Sequence, residues 1–358
     1  MKERTNIGRQ VELDIARGLA VIFMILIHTT EYYWDENCFV FGKIANFLGS
    51  PPAAPVFMFL LGCGLIYSRH NSPAELVKRG AKMLILSYVF NALVYVLPYG
   101  IYSLINQDIE CWEEYWCQIY DTDILQFAAL AFLFFALVRF LKLKPWQGLV
   151  AASIISLIGM LLNATVCEIE NPLLQWITGL FWGTHEGSYF PFTSWIFYVA
   201  AGYLFADILQ QTEDKKRMYI RISPISGVIF IIIAIILVNF NEWDDMMDGD
   251  FYYHQNIFMN VMYVSFVLSW LGLCYFINSI LPESIRNVMK KFSSNVTVIY
   301  VIQYILIIYV QVLICQETYF NAAIVIGFTV LYTVIAYFGA ILYKKFLAKK
   351  EKNKAITE

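Results

Sequence analysis

Long apolar runs separated by short polar segments repeat along the whole chain. They lie at about 14–34, 51–68, 83–104, 123–141, 146–166, 189–209, 222–240, 257–280, 295–315 and 320–343. Each run is long enough to form a helix across about 30 Å of hydrocarbon. The pattern predicts an all-α protein, with one integral-membrane domain over 1–358 built as a polytopic bundle of about ten transmembrane helices. The apolar stretch 171–183 is too short to span, and it is either re-entrant or part of an eleventh, tilted helix.

Composition and charge agree with a membrane protein and predict its orientation. Hydrophobic residues make up 59% of the chain and charged residues only 15%, which is outside the range of soluble domains. With the N-terminus in the cytoplasm, 24 of the 25 Lys and Arg residues fall at or near the cytoplasmic face, and only Lys43 falls outside. The opposite loops are acidic. By the positive-inside rule, both termini are expected in the cytoplasm.

The first apolar run, ELDIARGLAVIFMILIHTTEYYW, carries Arg17 and His28 eleven residues apart. The residues between them are all apolar or Gly. Eleven residues make close to three helical turns, so both side chains share one face, about 16 Å apart along the axis. Asp14, one turn before Arg17, shares that face. Because ionisable residues inside a membrane are expensive, this face is a candidate functional site.

Each of these residues also has a purely structural interpretation. His28 suits a general base near neutral pH, or it forms a hydrogen bond between helices. Glu31, one turn later, either orients the imidazole or marks the solvated end of the helix. Arg17 is typical of a membrane anchor that reaches the headgroups, with Asp14 as an ion-pair partner. The face that Arg17 shares with His28 favours function instead.

Basic residues also cluster at the start of the third run, at Lys78, Arg79 and Lys82. The positive-inside rule explains them without any further role. The functional alternative is a phosphate-binding patch beside Arg17, because guanidinium groups bind phosphate with two parallel hydrogen bonds.

Local signals predict two structural features near this patch. Ser72, followed by Pro73 and by Glu75 three residues after the cap, is typical of a helix start. Gly62 and Gly64 in the second run predict close helix packing.

Further polar residues lie near the opposite face. His185 and Glu186 precede the sixth run among aromatic residues that could stack on a sugar ring, although aromatic belts at membrane interfaces explain the aromatics equally well. The ninth run carries Tyr300 and Gln303, and Gln303 either joins helices or lines a cavity. The sequence has no CxxC or Cys/His metal spacing, no phosphate-binding loop and no nucleic-acid motif, so we expect neither a metal nor a nucleic-acid partner.

Together these segments resemble the transmembrane acyltransferase superfamily, which includes the membrane acyltransferase type 3 proteins and the bacterial relatives of heparan-α-glucosaminide N-acetyltransferase. In the first helix of that family an Arg or Lys is followed by ten residues and then His, as at Arg17 and His28. KRGAK resembles its paired basic motif, with Lys82 in place of Arg. FPFTSWIFYVAAGYLFAD has Ser194 where the bacterial relatives have Pro. FSSNVTVIYVIQYILI has Gln303 where the type 3 proteins often have His.

The resemblance implies an enzyme of the bacterial plasma membrane that moves an acyl group, usually acetyl, from cytoplasmic acetyl-CoA to a saccharide or glycolipid on the far side. The acceptor atom is a hydroxyl or an amine. The implied donor site comprises Asp14, Arg17, Lys78, Arg79 and Lys82. The implied catalytic groups are His28, Glu31 and His185, and the implied acceptor contacts are Glu186, Tyr300 and Gln303. His28 acts as a base or carries the acetyl group itself, and the sequence does not choose between these roles.

Two alternatives to an enzyme stay open at this stage. One is a transporter or flippase for a small anion or a lipid-linked precursor, with the face of Arg17 and His28 lining its pathway. The other is a structural or sensor membrane protein without chemistry.

Overall fold

A computed structural model describes residues 4–165, 171–183, 187–239, 250–316 and 318–357. Within these ranges the chain is helical, with two isolated β-bridges and no β-strand. The helices are α1 Val11–Tyr33, α2 Phe39–Gly49, α3 Ala54–Tyr67, α4 Pro73–Asn91, α5 Leu97–Asn106, α6 Ile109–Tyr115, α7 Ile124–Phe140, α8 Pro145–Thr165, α9 Pro172–Phe181, α10 Phe192–Gln210, α11 Lys215–Val238, α12 Asp250–Tyr253, α13 Ile257–Asn278, α14 Glu283–Ser294, α15 Val296–Val310 and α16 Ala322–Thr357.

The predicted all-α membrane fold is confirmed. In the described part of the chain, eight helical stretches are long and apolar enough to cross a membrane. They are Phe39–Tyr67, Pro73–Asn106, Pro145–Asn163, Phe192–Gln210, Lys215–Val238, Ile257–Asn278, Val296–Cys315 and Ala322–Glu351. The two remaining predicted runs form α1 and the shorter apolar helix α7. The exact number of spans and the side of each terminus stay predictions.

Short helices occupy segments that the sequence pattern assigns to loops or leaves undecided. The apolar stretch 171–183 contains the ten-residue helix α9, Pro172–Phe181. α2, which carries Lys43, adds an eleven-residue helix directly before the second predicted run. α14 lies between the eighth and ninth runs and buries Met289 and Phe292 against the bundle while its charged side chains stay outside. These helices are too short or too polar to give a spanning signal in the sequence.

α3 and α10 approach each other at two glycines. A Cβ atom on Gly62 would lie 1.9 Å from the carbonyl oxygen of Val199, and one on Gly202 would lie 1.8 Å from that of Phe59. The prediction of close packing at Gly62 is therefore confirmed. The same prediction for Gly64 is wrong, because a Cβ there would meet nothing within 4 Å. Gly64 instead faces a pocket described below.

The predicted start of α4 is confirmed by its capping interactions. The backbone N–H of Glu75 donates to the Ser72 hydroxyl at 3.4 Å, and the backbone N–H of Ser72 donates to the Glu75 carboxylate at 3.0 Å. Pro73 occupies the first helical position, where its missing N–H costs no hydrogen bond.

Candidate active site

One stripe, which begins at Gln10 directly before α1 and continues along α1, lines two pockets. Gln10, Leu13, Asp14 and Arg17 line the first, and Met24, Ile27, His28, Glu31 and Tyr32 line the second. The spacings of three and four residues within each set are those of one helix face. Arg17 and His28 therefore lie on one stripe, as the sequence predicts, and each belongs to a different pocket. We call these pockets the arginine pocket and the histidine cavity.

The histidine cavity has a volume of about 340 Å³. Its walls combine tyrosines with carboxylates. The tyrosines are Tyr32, Tyr95, Tyr189, Tyr252, Tyr253, Tyr300 and Tyr304, and the carboxylates belong to Glu31, Asp121 and Asp123. None of the described residues that line it is Lys or Arg. The cavity thus presents ring faces, hydroxyl groups and negative charge.

Two consecutive residues of α15 hold the imidazole of His28. The Gln303 side-chain amide lies beside Nδ1, with its nitrogen at 2.9 Å and its oxygen at 3.3 Å. The Tyr304 hydroxyl lies 3.1 Å from Nε2. The Tyr304 ring also packs on the imidazole, with the ring centroids 4.4 Å apart. Both nitrogens therefore have partners, and the ring plane is fixed by packing.

Asp123 also lines the histidine cavity and anchors part of its wall. Its carboxylate accepts hydrogen bonds from the Tyr300 hydroxyl and from the backbone N–H of Ile124, where it caps α7. Thr122 holds the neighbouring wall in place, because its N–H donates to Gly187 O at 2.7 Å and its carbonyl accepts from Tyr189 N at 2.9 Å. The segment before α7 thus joins α15 and the start of the α10 region around one cavity.

Asp121 lines the same cavity from two residues before Asp123. Burial, and secondarily the charge of Asp123, raise the pKa of Asp121 to about 7. A carboxyl group whose pKa is displaced in this way, in a cleft beside a histidine, is typical of a functional site. Sequence reasoning missed both aspartates. Their signal is the Asp-Thr-Asp sequence directly before an apolar run, a pattern that an acidic loop also explains.

The arginine pocket has a volume of about 490 Å³ and is lined by three guanidinium groups, those of Arg9, Arg17 and Arg69. Arg17 donates to the Leu60 carbonyl at 2.9 Å and to the Ser293 hydroxyl at 3.3 Å. These contacts turn it inward instead of outward to the headgroups.

Asp14 is the carboxylate of the arginine pocket. It pairs with Arg9 at 2.5 Å and accepts a hydrogen bond from Ser293 at 2.6 Å. Ser293 thereby connects Asp14 and Arg17. The sequence pattern does not single out Arg9, Arg69 or Ser293 as site residues. Arg69 and Ser293 reach this pocket only through the packing of α3 and α14 against α1.

The other predicted site residues fall in several places. Lys78 and Lys82 are exposed on α4, and Arg79 packs its guanidinium 4.4 Å from the ring centroid of Phe132. None of the three lines the arginine pocket. Glu31 and Tyr300 line the histidine cavity, whereas Gln303 is fully buried behind His28. His185 and Glu186 lie outside the described residues.

The two pockets are separate in this conformation. They share none of their described lining residues. Between them on α1, Ala20 and Val21 are fully buried. At these two positions α1 has no accessible surface that would join the arginine pocket to the histidine cavity.

The sequence of the protein matches a known protein family. Residues 9–236 match the family described as heparan-alpha-glucosaminide N-acetyltransferase, catalytic. The chain belongs to this acetyltransferase family. The matched region runs from Arg9 to Ile236, near the end of α11, and so contains both Arg17 and His28, whereas α15 lies beyond it. No curated protein matches the chain.

Membership in the family makes the protein a membrane acetyltransferase in general terms. The identity of the donor, the identity of the acceptor and the role of each residue are inferred from the geometry of the two pockets.

Proposed function

We propose that this acetyltransferase moves the acetyl group of acetyl-CoA from the arginine pocket to a saccharide bound in the histidine cavity. The observation that most directly supports this proposal is the single stripe of α1, on which Arg17 lines one pocket and His28 lines the other. The arginine pocket would open to the cytoplasm and the histidine cavity to the far side of a bacterial plasma membrane, with both termini cytoplasmic.

The residues of the arginine pocket fit the phosphates of the donor. Three guanidinium groups face one carboxylate there, and that carboxylate already pairs with Arg9 and Ser293. Guanidinium groups bind phosphate with paired, charge-assisted hydrogen bonds. The thioester of the donor would supply the acetyl group. In this proposal Asp14 and Arg17 form the donor site together with Arg9 and Arg69, and Lys78, Arg79 and Lys82 lie outside it.

The histidine cavity suits a neutral or positively charged sugar. Aromatic faces stack on sugar rings, and the carboxylates of Glu31, Asp121 and Asp123 accept hydrogen bonds from hydroxyl or ammonium groups. Because none of the described lining residues is a cation, an anionic acceptor would meet uncompensated negative charge. The acceptor atom is therefore an amine or hydroxyl of a saccharide or glycolipid.

His28 is the group with the chemistry for transfer. Its Nε2 lies 3.1 Å from the hydroxyl of Tyr304, which lines the cavity. As a base, it would take the proton of the acceptor amine or hydroxyl. As an acyl carrier, it would bond to the acetyl carbon as the thiolate of CoA leaves, and would then pass the acetyl group to the acceptor in the same cavity.

The first prediction is that release of CoA depends on His28. Purified protein in nanodiscs is given acetyl-CoA and a panel of neutral and amino sugars, and free CoA is measured for the wild type and for His28→Ala. We expect turnover in the wild type and its loss in His28→Ala. Binding of acetyl-CoA, measured on the same samples, should persist in His28→Ala and weaken in Arg17→Ala, with Lys78→Ala as the matched control that keeps it.

The alternatives give different results in this experiment. A folded wild-type protein that does not bind acetyl-CoA would contradict the acetyltransferase proposal and favour a transporter or flippase. Turnover that survives in His28→Ala would contradict the role of His28 and leave the donor site standing.

A further inference from the structure

Gln303 touches His28 from behind the histidine cavity. Its side chain is fully buried and does not line the cavity. Its amide nitrogen lies 2.9 Å from Nδ1 of His28, while its neighbour Tyr304 lines the cavity and lies 3.1 Å from Nε2. In this conformation Gln303 cannot contact an acceptor in the cavity. It can therefore influence the reaction through its contact with His28.

A neutral imidazole carries one proton, and the partner of one nitrogen decides where that proton sits. The amide nitrogen of Gln303 is closer to Nδ1 than its oxygen, which lies at 3.3 Å. With the amide donating, Nδ1 accepts and the proton occupies Nε2, from which it is directed to the Tyr304 hydroxyl. In that tautomer Nε2 has no lone pair for an acceptor proton.

We propose that Gln303 is a positioning residue that sets the tautomer of His28 and thereby controls whether Nε2 is available as a base. The resting amide donates to Nδ1 and keeps Nε2 protonated. A half-turn of the amide, which has nearly the same shape in both orientations, brings its oxygen to Nδ1–H and frees the lone pair of Nε2. This inference rests on the role of His28 in the proposed function.

The same rotation is required by the proton balance of transfer. Nε2 takes the proton of the acceptor N–H or O–H, the freed electron pair attacks the acetyl carbon, and the electron pair of the C–S bond leaves with the sulfur of CoA. His28 then carries protons on both nitrogens, so Nδ1 is a donor. Only the oxygen of Gln303 can pair with it.

The second prediction concerns Gln303→Glu, because a carboxylate only accepts hydrogen bonds and so holds the proton on Nδ1. The protein contains four His residues, so nitrogen NMR of ¹⁵N-histidine-labelled protein in nanodiscs resolves few imidazoles, and His28→Ala identifies the signal of His28. We expect protonated Nε2 in the wild type and protonated Nδ1 in Gln303→Glu. In the pH profile of kcat/KM, the acidic limb of Gln303→Glu should move up by about one pH unit or more, since the carboxylate stabilises the imidazolium.

Two further variants separate this effect from a structural one. Gln311→Glu places a carboxyl group at another buried glutamine just beyond α15, whose amide donates to the Thr318 carbonyl at 3.5 Å, and should leave the tautomer of His28 unchanged. Gln303→Met replaces the amide with an apolar side chain of similar length and so removes the hydrogen bond, and signals of both tautomers should then appear.

Defined outcomes overturn the inference. If Gln303→Glu shows the same tautomer as the wild type, or Gln303→Met keeps protonated Nε2 alone, Gln303 does not set the tautomer. A tautomer that switches as expected in a protein without acetyl-CoA turnover would support this inference and contradict the proposed function.

Discussion

At the scale of single residues, the burial of the Asp121 carboxylate lowers the stability of the protein at neutral and alkaline pH. The proposed acceptor site gives a reason for a carboxyl group at this place. Burial raises the pKa of Asp121 to about 7, above the ordinary value of about 3.9 for an aspartate. Between these values the folded state binds more protons than the unfolded state, so the stability of the protein falls as the pH rises through this window. Above the upper value the carboxylate is charged and largely buried, ready to bind a hydroxyl or ammonium group.

The third prediction is that Asp121→Asn raises the melting temperature of the protein more at pH 8 than at pH 4.5, because the amide removes a buried charge that exists only at the higher pH. Thermal unfolding in detergent at both pH values measures this. Asp35→Asn, at an exposed carboxylate, is the control and should show no such difference. Asp121→Asn should also raise the KM for the saccharide. An equal change in melting temperature at both pH values would contradict the raised pKa.

The residues that the sequence predicts well are those on one continuous helix. Arg17 and His28 follow from the geometry of α1 alone, which is local and needs no partner. Arg69, Ser293 and Asp121 join the same pockets through contacts between distant segments. A single sequence does not contain those contacts in any periodic form. A sequence signal can also point to residues that lie outside the pocket, as it does for the basic patch of Lys78, Arg79 and Lys82. A basic cluster beside a membrane looks the same in the sequence whether or not it binds a ligand.

At the scale of elements, local features are again predictable from the sequence, whereas contacts between distant helices are not. The cap at Ser72 depends on residues within one turn, so the sequence predicts it. Gly62 and Gly64 look alike in the sequence, but only Gly62 meets another helix. The difference arises because successive positions around a helix face different neighbours, and here those neighbours are α10 and an open pocket.

The fourth prediction compares Gly62→Ala with Gly64→Ala. At Gly62 the new methyl group would lie 1.9 Å from the Val199 carbonyl, so α3 and α10 must separate, and overpacking of this kind typically costs about 1–3 kcal/mol or more. At Gly64 there is open space, and alanine also favours helix. Thermal stability in detergent should therefore fall for Gly62→Ala and hold for Gly64→Ala. Equal losses would contradict the close approach of the two helices.

At the scale of the whole molecule, α1 connects two pockets that do not connect with each other. Ala20 and Val21 are fully buried between Arg17 and His28. The proposed transfer therefore needs a movement that opens this stretch, whether His28 acts as a base or carries the acetyl group, because His28 itself lies in the histidine cavity. Either role of His28 also needs a free Nε2, which is the state that rotation of the Gln303 amide provides.

The fifth prediction concerns the orientation of the bundle, on which the direction of transfer depends. Lys43, on α2, is the basic residue that the charge pattern assigns to the far side, and Lys349, near the end of α16, lies in the basic segment 344–354, KKFLAKKEKNK. Both are exposed. In intact cells a membrane-impermeant maleimide should modify Lys43→Cys, whereas Lys349→Cys should react only after the membrane is opened, with the modified residue identified by mass spectrometry. The reverse pattern would place the arginine pocket on the side without acetyl-CoA, and the proposed direction of transfer would then be wrong.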